Sequence, residues 1–95
     1  MVTDYIYKYP IQTVDIQYVS MPVNKRILSA HSQYGSLTLW AKVTMEDQGS
    51  TPMGLVRIGV FGTGRPLPDD IADATFIGTV VTFNDQLIWH VWEMP

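Results

Sequence analysis

The residues with the most chemical potential lie in one short stretch, Phe61-Gly62-Thr63-Gly64-Arg65. Consecutive backbone amides in a glycine-rich turn can converge on an anion, and a guanidinium beside them suits a phosphate or carboxylate. Gly62, Thr63, Gly64 and Arg65 therefore form the first candidate binding set, with Arg65 at its centre. The stretch completes neither G-x-G-x-x-G nor G-x-x-x-x-G-K-[ST], and no amphipathic helix follows to lend its N-terminal dipole. The plain alternative is an ordinary strand-exit turn, with Arg65 in a salt bridge to Asp69 or Asp70.

His31 and His90 are the only histidines, each on an expected strand. A metal centre would need both to converge with loop carboxylates, and nothing in their spacing supports that. His90, flanked by Trp89 and Val91, is expected to be partly buried with one nitrogen hydrogen-bonded, and His31 half exposed. Asp69, Asp70 and Asp73 lack the spacing and terminal Glu of an EF-hand loop and read as a solvated acidic turn. Ser20, Ser29, Ser32, Ser36 and Ser50 all lie outside a nucleophile-elbow context. Without Cys there is no disulfide, thiolate zinc site or cysteine nucleophile. The residues thus point to no catalytic group, metal or cofactor. Tyr5, Tyr7, Tyr9, Tyr18, Tyr34, Trp40 and Trp92 carry a different signal, because Tyr and Trp give large contact area at low entropy cost in binding surfaces. Tyr7 and Trp92 join the candidate binding set on that ground.

These side chains require strands to position them. Apolar residues recur at period two, in runs rich in Val, Ile, Thr, Tyr, Trp and Phe. Tyr5, Tyr7 and Tyr9 share one face of a first strand that stops at Pro10, which has no N–H for a ladder, so this strand should be an edge. A second strand is expected over residues 12–19, with Val14, Ile16 and Tyr18 inward, Thr13, Asp15 and Gln17 outward, and Met21-Pro22 as its break. Residues 25–33 and 36–44 read as a hairpin turning near Tyr34-Gly35, with Leu37, Leu39, Ala41 and Val43 on one face and Trp40 on the other. A polar loop over 46–52 leads into a strand over 54–61 and the long turn 61–70, after which residues 69–74 suit one short helical turn. Residues 75–83 and 86–94 read as a last hairpin turning at Asn84-Asp85. Its second strand is apolar on both faces, with Leu87, Trp89 and Val91 on one and Ile88 and Trp92 around His90 on the other. Such a strand is either central or has one face against a partner. The sum is an all-β domain, a small antiparallel β-sandwich or open barrel of about seven strands. Edge tyrosines on so small a sheet lead to an expected homodimer, through edge pairing or a stacked face.

Ninety-five residues suffice for one domain, 1–95, and the 46% hydrophobic and 16% charged content lies away from the disordered corner. Six Lys and Arg against nine Asp and Glu, net −3 without a basic run, argue against generic nucleic-acid binding through phosphate neutralisation. No basic-then-apolar leader and no long apolar run appear, which suggests a soluble, intracellular chain without a membrane partner.

The blocks Ile6-Tyr7-Lys8-Tyr9-Pro10, Met21-Pro22, Ile27-Leu28-Ser29, Leu39-Trp40-Ala41, Phe61-Gly62-Thr63-Gly64 with Pro66, Phe76-Ile77-Gly78-Thr79 and Trp89-His90-Val91 have a common counterpart. In that order they resemble a family of proteins around ninety residues long, encoded mainly by tailed phages and prophages and described as a domain of unknown function. The resemblance covers nearly the whole chain and brings no catalytic or binding residue with it. It implies a phage protein working in the host cytoplasm. The expected role is a non-enzymatic host-takeover or counter-defence factor that blocks a host immune protein or sequesters a small nucleotide-like signal. The alternative is a minor virion component of tail or head whose strands complete a neighbour's sheet.

Overall fold

The computed structural model describes residues 1–82 and 86–95. Among the described residues seven strands form, β1 (Val2–Pro10), β2 (Ile16–Pro22), β3 (Lys25–Gln33), β4 (Ser36–Glu46), β5 (Met53–Gly62), β6 (Thr75–Thr82) and β7 (Leu87–Glu93). One five-residue 3₁₀ helix, Asp69–Asp73, lies between β5 and β6. The strands make two antiparallel sheets, ordered β1-β4-β3 and β2-β5-β7-β6, which do not close into a barrel. The Cα atoms span 46 × 31 × 16 Å. The short axis is that of two stacked sheets, which pack about 10 Å apart, so the molecule is a thin slab with long edges.

The core lies between the sheets. Leu39, Ala41 and Val43 of β4 face Ile58 and Val60 of β5 and Val91 of β7, all essentially inaccessible to water. The first hairpin turns at Tyr34 and Gly35, whose φ angles of 50° and 79° match a type I′ turn joining Gln33 to Ser36. β1 is an edge, as Pro10 suggests. The final strand is central, between β5 and β6, which accounts for its two apolar faces. Val91 points into the core with Trp89 packed beside it, while Ile88, His90 and Trp92 point outward. The expected turn at Asn84-Asp85 and the strand end at Phe83 lie outside the described residues.

Along one long side β3 runs beside β6 without a ladder between them. Each carries a bulge there, between Ile27 and Ser29 and between Phe76 and Gly78. Gly78 lies on this seam, where a Cβ would stand 4.0 Å from the Ala30 carbonyl oxygen, an ordinary contact. Along the other side β1 and β2 leave both sheets open.

The second strand differs from the sequence expectation. It spans Ile16–Pro22 rather than 12–19, and Met21 and Pro22, the expected break, are fully buried within it. Its faces are also reversed: Tyr18 is 62% exposed and Val14 41%, whereas Gln17, Val19 and Met21 turn inward. With a side-chain period of two, a one-residue error exchanges the faces. Gln17 tolerates the inner side because its amide oxygen and nitrogen each find a partner in the preceding loop. The Gln12 N–H donates to Gln17 Oε1 at 2.9 Å and Gln17 Nε2 donates to the Gln12 carbonyl at 2.6 Å.

Candidate functional site

The outer face of the four-stranded sheet is partly roofed by residues 63–74, and the candidate site forms beneath that roof. β5 supplies Phe61, which lies over Gly59 and is only 4% exposed. β7 supplies His90 and Trp92, cross-strand partners of Phe61 and Gly59 respectively. Phe76 of β6 meets Trp92 edge-on, with ring centroids 4.9 Å apart. The strand-exit turn then folds back, with Arg65 N–H donating to the Gly62 carbonyl at 3.2 Å and Gly64 at a φ of 85°. Only a residue free to adopt positive φ fits the third position of this type II turn.

Phe61, Gly62, Thr63, Gly64, Arg65, Leu67, His90 and Trp92 thereby line a cleft of about 260 Å³. His90 is held on both sides: the Thr63 hydroxyl lies 2.8 Å from Nε2 and the Thr79 hydroxyl 3.1 Å from Nδ1. The sequence suggests a partner for one nitrogen, and both have one. A hydroxyl on an imidazole has the outline of a nucleophile and its base. Here the opposite nitrogen meets a second hydroxyl rather than a carboxylate, and a hydroxyl does not stabilise an imidazolium as a carboxylate does. The arrangement fixes the ring and presents polar atoms in an apolar-walled cleft. The Trp92 Nε1 is buried without a hydrogen-bond partner among the described residues.

The structure brings Gly62, Thr63, Gly64, Arg65 and Trp92 together and leaves Tyr7 elsewhere. Tyr7 stands opposite Ala41 on the inner face of the three-stranded sheet, whereas Trp92 lies on the outer face of the other sheet. The turn is also no backbone cradle. The Thr63 N–H donates to the Ile88 carbonyl at 3.3 Å and the Arg65 N–H closes the turn, so a ligand here meets side chains rather than converging amides. Arg65 does not pair with Asp69 or Asp70. Its guanidinium stands 3.8 Å from Asp15, with both side chains about two-thirds exposed, while Asp70 is taken by Arg57 at 2.7 Å. The hydrogen bond that Arg57 donates to Asp70 holds the guanidinium above its ordinary pKa, with further support from Tyr18. His31 is exposed. Among the described residues no three His, Asp or Glu side chains gather into a metal-holding group, and no helix is long and apolar enough to cross a membrane.

Sequence reasoning missed a second cleft, of about 510 Å³, at the far end of the slab, bounded by Tyr18, Pro22, Lys25, Arg57, Glu93 and Met94. It depends on Pro22 continuing the second strand and on Lys25 meeting Glu93 at 2.9 Å, pairings between distant segments that local pattern does not report. Its two cations are already matched by carboxylates, which leaves Arg65 as the least committed guanidinium at a cleft.

No curated protein and no solved structure matches the chain. A family match does extend from residue 2 to residue 95, and on it the chain belongs to the family described as Domain of unknown function (DUF7352).

Proposed function

We propose that the protein acts by binding rather than catalysis, as a phage-encoded counter-defence factor in the host cytoplasm whose outer cleft sequesters a small nucleotide-like anion. The cleft itself carries the reading. It is floored by Phe61 and lined by Trp92, and it sets the weakly paired Arg65 beside hydroxyl and imidazole groups. A planar ring finds a surface to stack on and an attached phosphate or carboxylate finds a guanidinium. The hydroxyl–imidazole–hydroxyl chain, without a carboxylate, supports a role without chemistry. The resemblance of the sequence blocks to proteins of tailed phages supports the origin.

Native mass spectrometry of the protein, purified gently from a bacterial host, tests this directly. The expected spectrum has a mass excess of a few hundred daltons per protomer, lost on denaturation and absent from Arg65→Ala, with the melting temperature of that variant unchanged. A bare protomer mass from a host carrying the matching defence system would retire the ligand. A host immune protein carried along would replace sequestration with occlusion of that protein. The open sheet edges favour a second reading, a minor tail or head component; such a protein co-purifies with virus particles and an inhibitor does not.

A further inference from the structure

The free edge of β1 is complementary to itself. The Ile11 N–H donates to the Leu37 carbonyl at 2.9 Å and the Asp47 N–H to the Met1 carbonyl at 3.1 Å. Both bonds continue the register in which Tyr5 faces Val43 and Tyr7 faces Ala41. In an antiparallel ladder hydrogen-bonded pairs alternate, so odd residues of β1 bond to β4 and even ones turn their N–H and C=O outward. Val2, Asp4, Ile6 and Lys8 therefore present unpaired backbone groups along the open side. Pro10 is even as well, so its missing N–H falls where the β1–β4 ladder does not need it.

We infer that β1 pairs antiparallel with β1 of a second copy, about a two-fold axis through Ile6. In that register Ile6 faces the partner's Ile6, Asp4 faces the partner's Lys8, Lys8 faces the partner's Asp4, and Val2 faces the partner's Pro10. About eight ladder hydrogen bonds form, and the two three-stranded sheets become one of six strands. Charge selects the register. Sliding the strands by two residues sets Asp4 or Lys8 opposite Ile6, and sliding by four sets Asp4 on Asp4 or Lys8 on Lys8. Lys8 awaits such a partner: its ammonium reaches only the neutral Gln33 Oε1, at 2.9 Å, and no carboxylate among the described residues lies within salt-bridge distance.

The side chains agree on both faces. Tyr5 and Tyr7 stack at 5.6 Å on the inner face, yet stay 45% and 40% exposed because β1 runs out past the second sheet. The two-fold sets this pair against the partner's Tyr7 and Tyr5, continuing the core as a cluster of four rings. On the outer face Ile6, 66% exposed, packs on its symmetry mate.

Sedimentation velocity on the full chain tests the pairing. The wild type should sediment at twice 10.7 kDa. Ile6→Pro, which removes an N–H that the β1–β4 ladder does not use together with the side chain at the two-fold, should sediment as a folded monomer with an unchanged β-type circular dichroism spectrum. Asp4→Lys and Lys8→Asp each create two like-charge contacts per dimer, and each alone should weaken the dimer about tenfold or more, equivalent to about 1.4 kcal/mol. Mixing those two variants restores opposite charges at every position and should yield a heterodimer near wild-type strength. A wild type that is monomeric at about 0.1 mM leaves the edge to some other protein's strand and overturns the inference. So does a dimer indifferent to all three substitutions, or a mixture that fails to recover.

Discussion

Replacing Gly59 by Ala separates a generic effect from a specific one, because the two have opposite signs. In a strand interior Ala is favoured over Gly by roughly 0.5–1 kcal/mol through backbone entropy alone. At this position, however, a Cβ would stand 2.6 and 2.9 Å from Cε2 and Cζ of Phe61 and 3.0 Å from the Met94 Sδ. Real contacts are not that short, and Phe61 and Met94 are themselves buried, 4% and 5% exposed, so neither can swing into solvent without uncovering apolar surface. Overpacking of this kind costs about 1–3 kcal/mol. Set against the entropy gain, the net expectation for Gly59→Ala is destabilisation by about 1 kcal/mol, a fall in melting temperature of about 4–8 °C for a domain this size. Urea unfolding followed by circular dichroism reads the free energy, and an unchanged denaturant slope certifies that only stability moved. The collision also predicts strong coupling: on a Phe61→Leu background the ring is gone and the same Gly59→Ala change should be neutral or stabilising. A stabilised Gly59→Ala single variant, or equal effects on both backgrounds, would refute the packing of Phe61 over Gly59 and with it the floor of the candidate cleft.

Trp89→Ala should cost about 3 kcal/mol or more, since it removes a large ring packed on the core and the Nε1–H bond to the Thr82 hydroxyl at 3.0 Å; a variant as stable as the parent in urea would mean that the inward face of β7 is misassigned. Asp4 titrates below the ordinary carboxylate range, chiefly because the Thr44 hydroxyl donates to it and secondarily because Lys42 is near. A depressed folded-state pKa contributes stability that is complete above the unfolded value and is lost as pH falls through the folded one. Carboxyl-carbon NMR titration should therefore find Asp4 low in the folded chain and raised toward its usual value in Thr44→Val, with no movement counting against the hydrogen bond. Burial raises the Tyr9 phenol above its ordinary pKa, with the nearby Tyr7 adding to the effect. By the same linkage its contribution is complete below the unfolded value and lost as alkaline pH passes through the folded one; ultraviolet titration of Tyr9→Phe should lose a phenol that ionises above the ordinary tyrosine value, and loss of one at the ordinary value would contradict the burial.

Much of the fold is legible in local pattern. The alternation of Leu37, Leu39, Ala41 and Val43 names the core face of β4, the Tyr34-Gly35 turn fixes the first hairpin, and Pro10 marks β1 as an edge. These are short-range effects: side-chain period, positive φ at a turn, and a missing N–H. The short helical turn at Asp69–Asp73 and the two-faced final strand are read by the same means. Local pattern failed at β2, where a buried Pro22 and an inward Gln17 depend on β5 across the ladder and on the Gln12 backbone, neither visible in alternation. The candidate site divides along the same line. Sequence alone determined that Gly62, Thr63, Gly64 and Arg65 would form a tight turn, because glycine at positive φ decides that within four residues. Only the tertiary structure decided that the turn lies over His90 and Trp92, that Arg57 takes Asp70 and leaves Arg65 weakly paired, and that Tyr7 stands apart on the other sheet. Which strands neighbour one another is set by burying the two apolar faces together, a property of the whole chain that no single stretch carries.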